Sequence, residues 1–127
     1  MILTSNQLVA EAKSHIKEIS PQTLFERLGV PVLIDVRESA ELEKGMIPHA
    51  HPIARGVLEM NIQTYLTQKT GNENIENVEL VLYCRSGARS ALAAESLKKM
   101  GFTNVSSLEG GMNQWVTLAL PVTEQNS

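Results

Sequence analysis

The run Glu79-Leu80-Val81-Leu82-Tyr83 ends on Cys84, the only cysteine in the chain, and the turn Arg85-Ser86-Gly87 leads from there into a helical pattern from about Ala88 to Met100. Few folds accept that order. A strand apolar along its length is covered on both faces, as in a parallel sheet. A turn straight from that strand into a helix leaves backbone N–H groups unpaired and aimed into one concavity, with the helix dipole behind them. A second continuous apolar run, Val32-Leu33-Ile34-Asp35-Val36, repeats the strand signal with one acid near its end.

The other periodicities alternate helix and strand. Residues 4–18 read as an amphipathic helix, with Thr4 and Gln7 as a capping box and Leu8, Ala12, Ile16 and Ile19 at helical spacing. Ser20-Pro21 opens a short helix in which Leu24 and Leu28 face inward and Gly29 is the stop. A helical stretch at Ser39–Glu43, an extended piece at His51–Ile53 and a helix through Leu58, Ile62, Tyr65 and Leu66 follow. Gly101 ends the helix after Cys84. A strand at Val105–Leu108 and a helix lined by Met112, Trp115, Val116 and Ala119 close the pattern. The sum predicts an α/β domain with a mainly parallel sheet and helices on both faces. Residues 1–18 read as a helical extension, 19–122 as the domain and 123–127 as a tail. Ligands of such sheets bind beyond the carboxyl ends of strands, where Cys84 is predicted.

A length of 127 residues suits one domain, and a net charge of −3 without a basic stripe argues against a nucleic-acid partner. Any preference for anions is therefore local, and Arg85 and Arg89 supply it. One cysteine forms neither an intramolecular disulfide nor a thiolate-rich zinc site. No secretory signal is visible, and no run approaches the roughly 20 apolar residues of a membrane span. The expected setting is cytoplasmic and reducing, without a membrane partner, which suits a lone reactive thiol.

The chemistry concentrates on Cys84. A free cysteine is mostly thiol at neutral pH, and making the thiolate the majority form needs roughly 2.7 kcal/mol of differential stabilisation. Amides at a helix N-terminus and two arginines supply contacts of about one kcal/mol each. The small residues Ser86, Gly87 and Ala88 let the backbone approach the sulfur. Cations at a helix N-terminus oppose the dipole, so Arg85 and Arg89 call for an anion or for a buried carboxylate such as Asp35.

These landmarks carry a family resemblance. Leu33-Ile34-Asp35-Val36-Arg37-Glu38, Gly45-x-Ile47-Pro48-x-Ala50, Cys84-Arg85-Ser86-Gly87-x-Arg89-Ser90, Gly101-Phe102 and Leu108-Glu109-Gly110-Gly111 with Trp115 occur in the order found in single-domain rhodaneses. From about Ile19 to Val122 the chain resembles that family of thiosulfate sulfurtransferases. The resemblance implies a single three-layer domain around a five-stranded, mainly parallel sheet. It also implies a persulfide on Cys84, formed from a donor such as thiosulfate and passed to cyanide or a thiol. The amides of Arg85 to Ser90 would surround the terminal sulfur, and Asp35 would buttress a loop arginine. No cofactor or metal is implied. An alternative keeps the persulfide but relays it only to a protein acceptor.

Loop length speaks against a phosphatase or arsenate reductase. Those enzymes use Cys-x₅-Arg, whereas Arg89 lies five positions after Cys84, a contour shorter by about 3.3–3.6 Å. Met46 and His49 stand where rhodaneses often carry His and Gly, which puts the local loop conformation in question. Asp35 reads as a structural pairing residue, and Arg37 and Glu38 as holding the loop after their strand. His49-x-His51 reads as loop rather than metal site, His15 as helix surface, Trp115 as core, and Glu73, Glu76 and Glu79 as a solvated face.

Overall fold

The computed structural model describes residues 1–123. Strands β1 (Lys17–Ile19), β2 (Val32–Asp35), β3 (His51–Pro52), β4 (Leu80–Tyr83) and β5 (Val105–Leu108) form one five-stranded sheet in the order β1-β5-β4-β2-β3. Every pairing is parallel. The helices are α1 (Ser5–Lys13), α2 (Pro21–Glu26), α3 (Ser39–Leu42), α4 (Leu58–Thr70), α5 (Ala88–Met100) and α6 (Gly111–Thr117).

The three layers follow from the two-residue period of the central strands. Ile34, Leu80, Leu82 and Cys84 pack with Leu58, Ile62 and Leu66 of α4 and Ala93, Ala94 and Leu97 of α5. Leu33, Val81 and Tyr83 turn to the other face, against Leu24 of α2 and Met112 and Trp115 of α6. Every residue of β4 is buried, as its unbroken apolar run requires. Burying each large aliphatic side chain contributes about 1.5–3 kcal/mol, and β4 stands between β2 and β5 to collect it on both faces. The strand that ends on Cys84 is the middle of the sheet.

The amino-terminal segment differs from its sequence reading. The capping box of Thr4 and Gln7 is present, but α1 stops at Lys13 and residues Lys17–Ile19 become the edge strand β1, paired with Ser106–Leu108. Leu8 is exposed, while Ile16 packs on the core beyond the helix. Three residues of strand are too few to show a period, and main-chain pairing with β5 decides their conformation. The division expected between residues 18 and 19 falls inside that strand. Helix α1 lies on α5, with Ala12 buried and the Lys98 ammonium donating to the His15 carbonyl at 2.6 Å.

Two helix ends also move. Helix α2 stops at Glu26, before Gly29, and α6 stops at Thr117; Val116, on the outer side of α6, and Ala119, beyond its end, are exposed rather than lining the core. The chain turns back there: Ala119 has φ 56°, and the Trp115 indole N–H donates to the Pro121 carbonyl at 2.8 Å. Thr123, where the tail was expected to begin, pairs its main chain with Met46 at 2.8 Å in both directions. Tail residues 124–127 lie outside the described residues.

Candidate active site

Beyond β4 the chain makes one tight turn and enters α5. Gly87 sits at the N-cap with φ 102°, a left-handed conformation that disfavours a side chain. That conformation aims its N–H at the sulfur of Cys84, at 3.1 Å. The amide of Ser90 donates to the same sulfur at 3.4 Å, and the Ser90 hydroxyl lies 3.5 Å away. Behind it, the hydroxyls of Ser90 and Ser107 are 2.8 Å apart, both fully buried. The sulfur thus faces the positive end of a 13-residue helix, with main-chain donors aligned on it.

Helix α6 holds the same loop from the opposite side. The amides of Met112 and Asn113 donate to the carbonyls of Cys84 and Arg85, each at 2.9 Å. Close approach demands glycine here. A Cβ on Gly111 would lie 2.5 Å from the Cys84 oxygen and 2.8 Å from the Arg85 carbonyl.

The charges are paired differently from the sequence reading. Arg89 does not meet Asp35; its guanidinium grips Glu41 through two hydrogen bonds, 2.7 and 2.9 Å. That contact holds the Glu41 carboxyl down at about 2, the hydrogen bonds from Arg89 being the largest cause. The Arg89 guanidinium is raised in turn, first by Glu41 and to a lesser degree by Cys84. Asp35 instead takes three hydrogen bonds from the Arg37 side chain, at 2.7, 3.0 and 3.1 Å, and one from its amide at 2.9 Å. Arg37 also donates to the carbonyls of Glu41 and Gly45, so it ties the end of β2 to the next two segments. It lies over the buried ring of Tyr83, 5.7 Å from the centroid, and the Tyr83 hydroxyl accepts from the Ile47 amide. Burial pushes the Tyr83 hydroxyl strongly up. Arg85 is exposed and forms no ion pair among the described residues.

The sulfur itself has no exposed surface, which corrects the expectation of an open concavity: Cys84 is 0% exposed, while Arg85 and Ser86, the next two residues of the loop, are solvent-facing. A cavity of about 500 Å³ abuts the loop at Arg85 and, through Glu41, at its Arg89 end. Cys84 is not part of its wall.

Comparison with known proteins decides the family. Residues 9–118 match the rhodanese-like domain. This chain belongs to the rhodanese-like domain family. It is 33% identical over 110 residues to a protein of Allochromatium vinosum named sulfurtransferase, covering 84% of this chain and 94% of that one. A Rhodopseudomonas palustris structure described as a possible tyrosine phosphatase superposes with TM-score 0.82 at 28% identity, over 97% of this chain and 96% of that one. The polysulfide-sulfur transferase homodimer of Wolinella succinogenes superposes with TM-score 0.71 at 30% identity, over 94% and 86%.

Within this rhodanese-like domain, the two unusual positions both have an account. Met46 is buried and held by Thr123, and His49 takes the left-handed conformation, φ 73°, that glycine favours. His51 stacks on Tyr65, ring centroids 4.0 Å apart. Glu79 is not merely solvated; it pairs with Arg27 through both carboxylate oxygens. The sequence reading missed Glu41 and Ser107. The dipole conflict at Arg89 called for a carboxylate, and Glu41 was one of several in the segment after β2. Ser107 showed only as a polar residue within a short strand.

Proposed function

We propose that this rhodanese-like chain transfers sulfane sulfur through a persulfide on Cys84, from an anionic donor such as thiosulfate to cyanide or a thiol. The observation that carries the reading is the pair of main-chain donors, Gly87 and Ser90, aligned on the Cys84 sulfur at the start of α5. Donors at that position offer hydrogen bonds to the sulfur, and a cysteine attacks as its thiolate. The thiolate attacks the outer sulfur of thiosulfate, the donor S–S bond breaks, and sulfite leaves with the electron pair. Cyanide carbon then attacks the terminal sulfur of Cys84–S–S⁻, thiocyanate departs, and the thiolate returns. Because Cys84 is 0% exposed, entry of a donor requires the surroundings of the sulfur to open. Arg85, unpaired among the described residues, offers its charge to the incoming anion. A polysulfide, the substrate in the name of the Wolinella relative, suits the same chemistry.

Phosphatase chemistry is disfavoured by the loop. Its arginine stands five positions after Cys84, and Glu41 already occupies both arms of the fork that a phosphate would need. The test is intact mass. Thiosulfate is expected to add one sulfur atom to the protein and not to Cys84→Ser, and cyanide is expected to remove it catalytically. Loading without cyanide turnover would favour relay to a protein acceptor. No loading by thiosulfate or polysulfide would overturn the reading.

A further inference from the structure

Ser107 stands where the pattern of its strand calls for an apolar side chain. In β5 it lies two residues beyond Val105 and pairs in register with Leu82 of β4, both members of the apolar layer that packs on α5. Its hydroxyl has no exposed surface. A polar group buried in such a layer is costly unless it is hydrogen-bonded. Among the described residues that hydroxyl has one partner, the Ser90 hydroxyl at 2.8 Å, and Ser90 in turn reaches Cys84 Sγ at 3.5 Å.

Counting protons gives this chain of groups a direction. Each hydroxyl carries one proton, and one of the two lies in the bond between the oxygens. The other needs a further acceptor, and among the described residues the one in reach is the sulfur, on the Ser90 side. Ser107 therefore donates to Ser90, and Ser90 to Cys84. Reversed, the chain would leave the Ser107 proton buried without an acceptor, a state that native interiors avoid.

We propose that Ser107 is a positioning residue for sulfur transfer, turning the Ser90 hydroxyl proton onto Cys84 Sγ to meet the charge that arrives as the persulfide breaks. The inference rests on the persulfide reading of Cys84. When cyanide carbon takes the terminal sulfur, the electron pair of the S–S bond returns to Sγ and thiocyanate departs; the Ser90 proton stays on its oxygen. A donor already aimed at Sγ stabilises that transition state more than the persulfide, in which Sγ carries no charge. Without Ser107, the Ser90 hydroxyl is released to bond a carbonyl one turn back, as serines inside helices do.

Single-turnover release tests it. Protein loaded from thiosulfate is desalted and mixed with cyanide, and thiocyanate formation is timed. Ser107→Ala is expected to slow release about threefold to tenfold, the loss of one hydrogen bond read as a rate. Ser107→Thr, which keeps a hydroxyl, is expected to release at close to the wild-type rate, and Ser107→Val, of the same shape without one, at the rate of Ser107→Ala. In a Ser90→Ala background, Ser107→Ala is expected to change nothing further, because the group it orients is gone. Circular dichroism checks that each variant is folded. If the methyl group added in Ser107→Thr and Ser107→Val unfolds the chain, the Ser90→Ala background decides alone. Equal release by Ser107→Thr and Ser107→Val, or an undiminished effect of Ser107→Ala without the Ser90 hydroxyl, overturns the inference and leaves the persulfide reading standing. Failure of the wild-type protein to load any sulfur overturns both.

Discussion

The guanidinium of Arg89, in the first turn of α5, closes on the carboxylate of Glu41, in α3, through two parallel hydrogen bonds that span 48 residues of sequence. The pair sits where the cysteine loop begins its helix, so the loop feels an arginine whose charge is largely answered. Deleting Arg89 therefore does more than remove a cation: it leaves the Glu41 carboxylate to repel the sulfur anion. Arg89→Ala is expected to slow iodoacetamide alkylation of Cys84 at pH 7 by about twofold to fivefold, the scale of a partly exposed pair. Arg89→Ala with Glu41→Gln is expected to recover most of the wild-type rate. No recovery in the double variant would mean that Arg89 acts on the sulfur directly.

The same pair gives the fold an acid-sensitive contribution. Glu41 is held at about 2, against 4.5 for an unperturbed glutamate. A carboxyl lowered on folding stabilises the native state fully above its unfolded value, and that contribution fades as pH falls through the folded one. Glu79, lowered chiefly by hydrogen bonds from Arg27, adds in the same direction. The melting temperature is expected to fall as pH drops from about 4.5 towards 2. Glu41→Gln is expected to melt lower at pH 7 and to fall less steeply, so that the two curves converge near pH 2. Parallel curves in thermal scans would contradict this.

What was legible in the sequence was local. The order Tyr83, Cys84, Gly87, Ala88 states a strand, a left-handed turn and a helix start within a few residues, and the sheet follows from two apolar runs buried on both faces. The partner of Arg89 was not legible, because Asp35, Glu38, Glu41 and Glu43 all lay in reach of the chain and only the packing of α3 on the loop selects one. Strand β1 was hidden for a different reason: Lys17-Glu18-Ile19 owes its shape to the exposed edge of β5. The closed sulfur was invisible too, since spacing places donors around an atom and says nothing of what covers it.

Gly111 predicts a sharp contrast between two glycines. Alanine there would drive its Cβ to 2.5 Å from the Cys84 carbonyl oxygen, while alanine at Gly101, φ 112°, would meet nothing within 4 Å. Both substitutions carry the strain of a left-handed backbone, about 1–2 kcal/mol. Only Gly111→Ala also prises α6 from the loop and breaks the bonds from Met112 and Asn113. It is expected to lose more stability in urea titration than Gly101→Ala and to load sulfur more slowly. Equal loading by both variants would show that α6 does not set the loop.

Asp35 and Arg37 form the one ion pair among the described residues in which both side chains are almost wholly buried, 0% and 5% exposed. Asp35→Asn keeps the shape and removes the charge that answers the guanidinium. Breaking a buried pair from one side costs about 3–5 kcal/mol, because the remaining charge stays desolvated. A loss of that size is expected in chemical denaturation, well beyond the loss from Arg27→Gln, whose pair with Glu79 is 39% and 30% exposed.

His49 offers the opposite sign. Its φ of 73° costs a residue with a Cβ about 1–2 kcal/mol, whereas glycine bears none of that strain. Glycine also gains freedom in the unfolded chain, which takes back about 0.4–1 kcal/mol. The imidazole lies beside Gly29, a surface contact that His49→Gly would forfeit, but His49 is solvent-exposed and little apolar area is at stake. Strain relief therefore wins by a small margin. His49→Gly is expected to raise stability by up to about 1 kcal/mol in urea titration, and His49→Ala, which keeps the strain and loses the ring, to lower it. If both variants fall together, the ring packing on Gly29 outweighs the backbone.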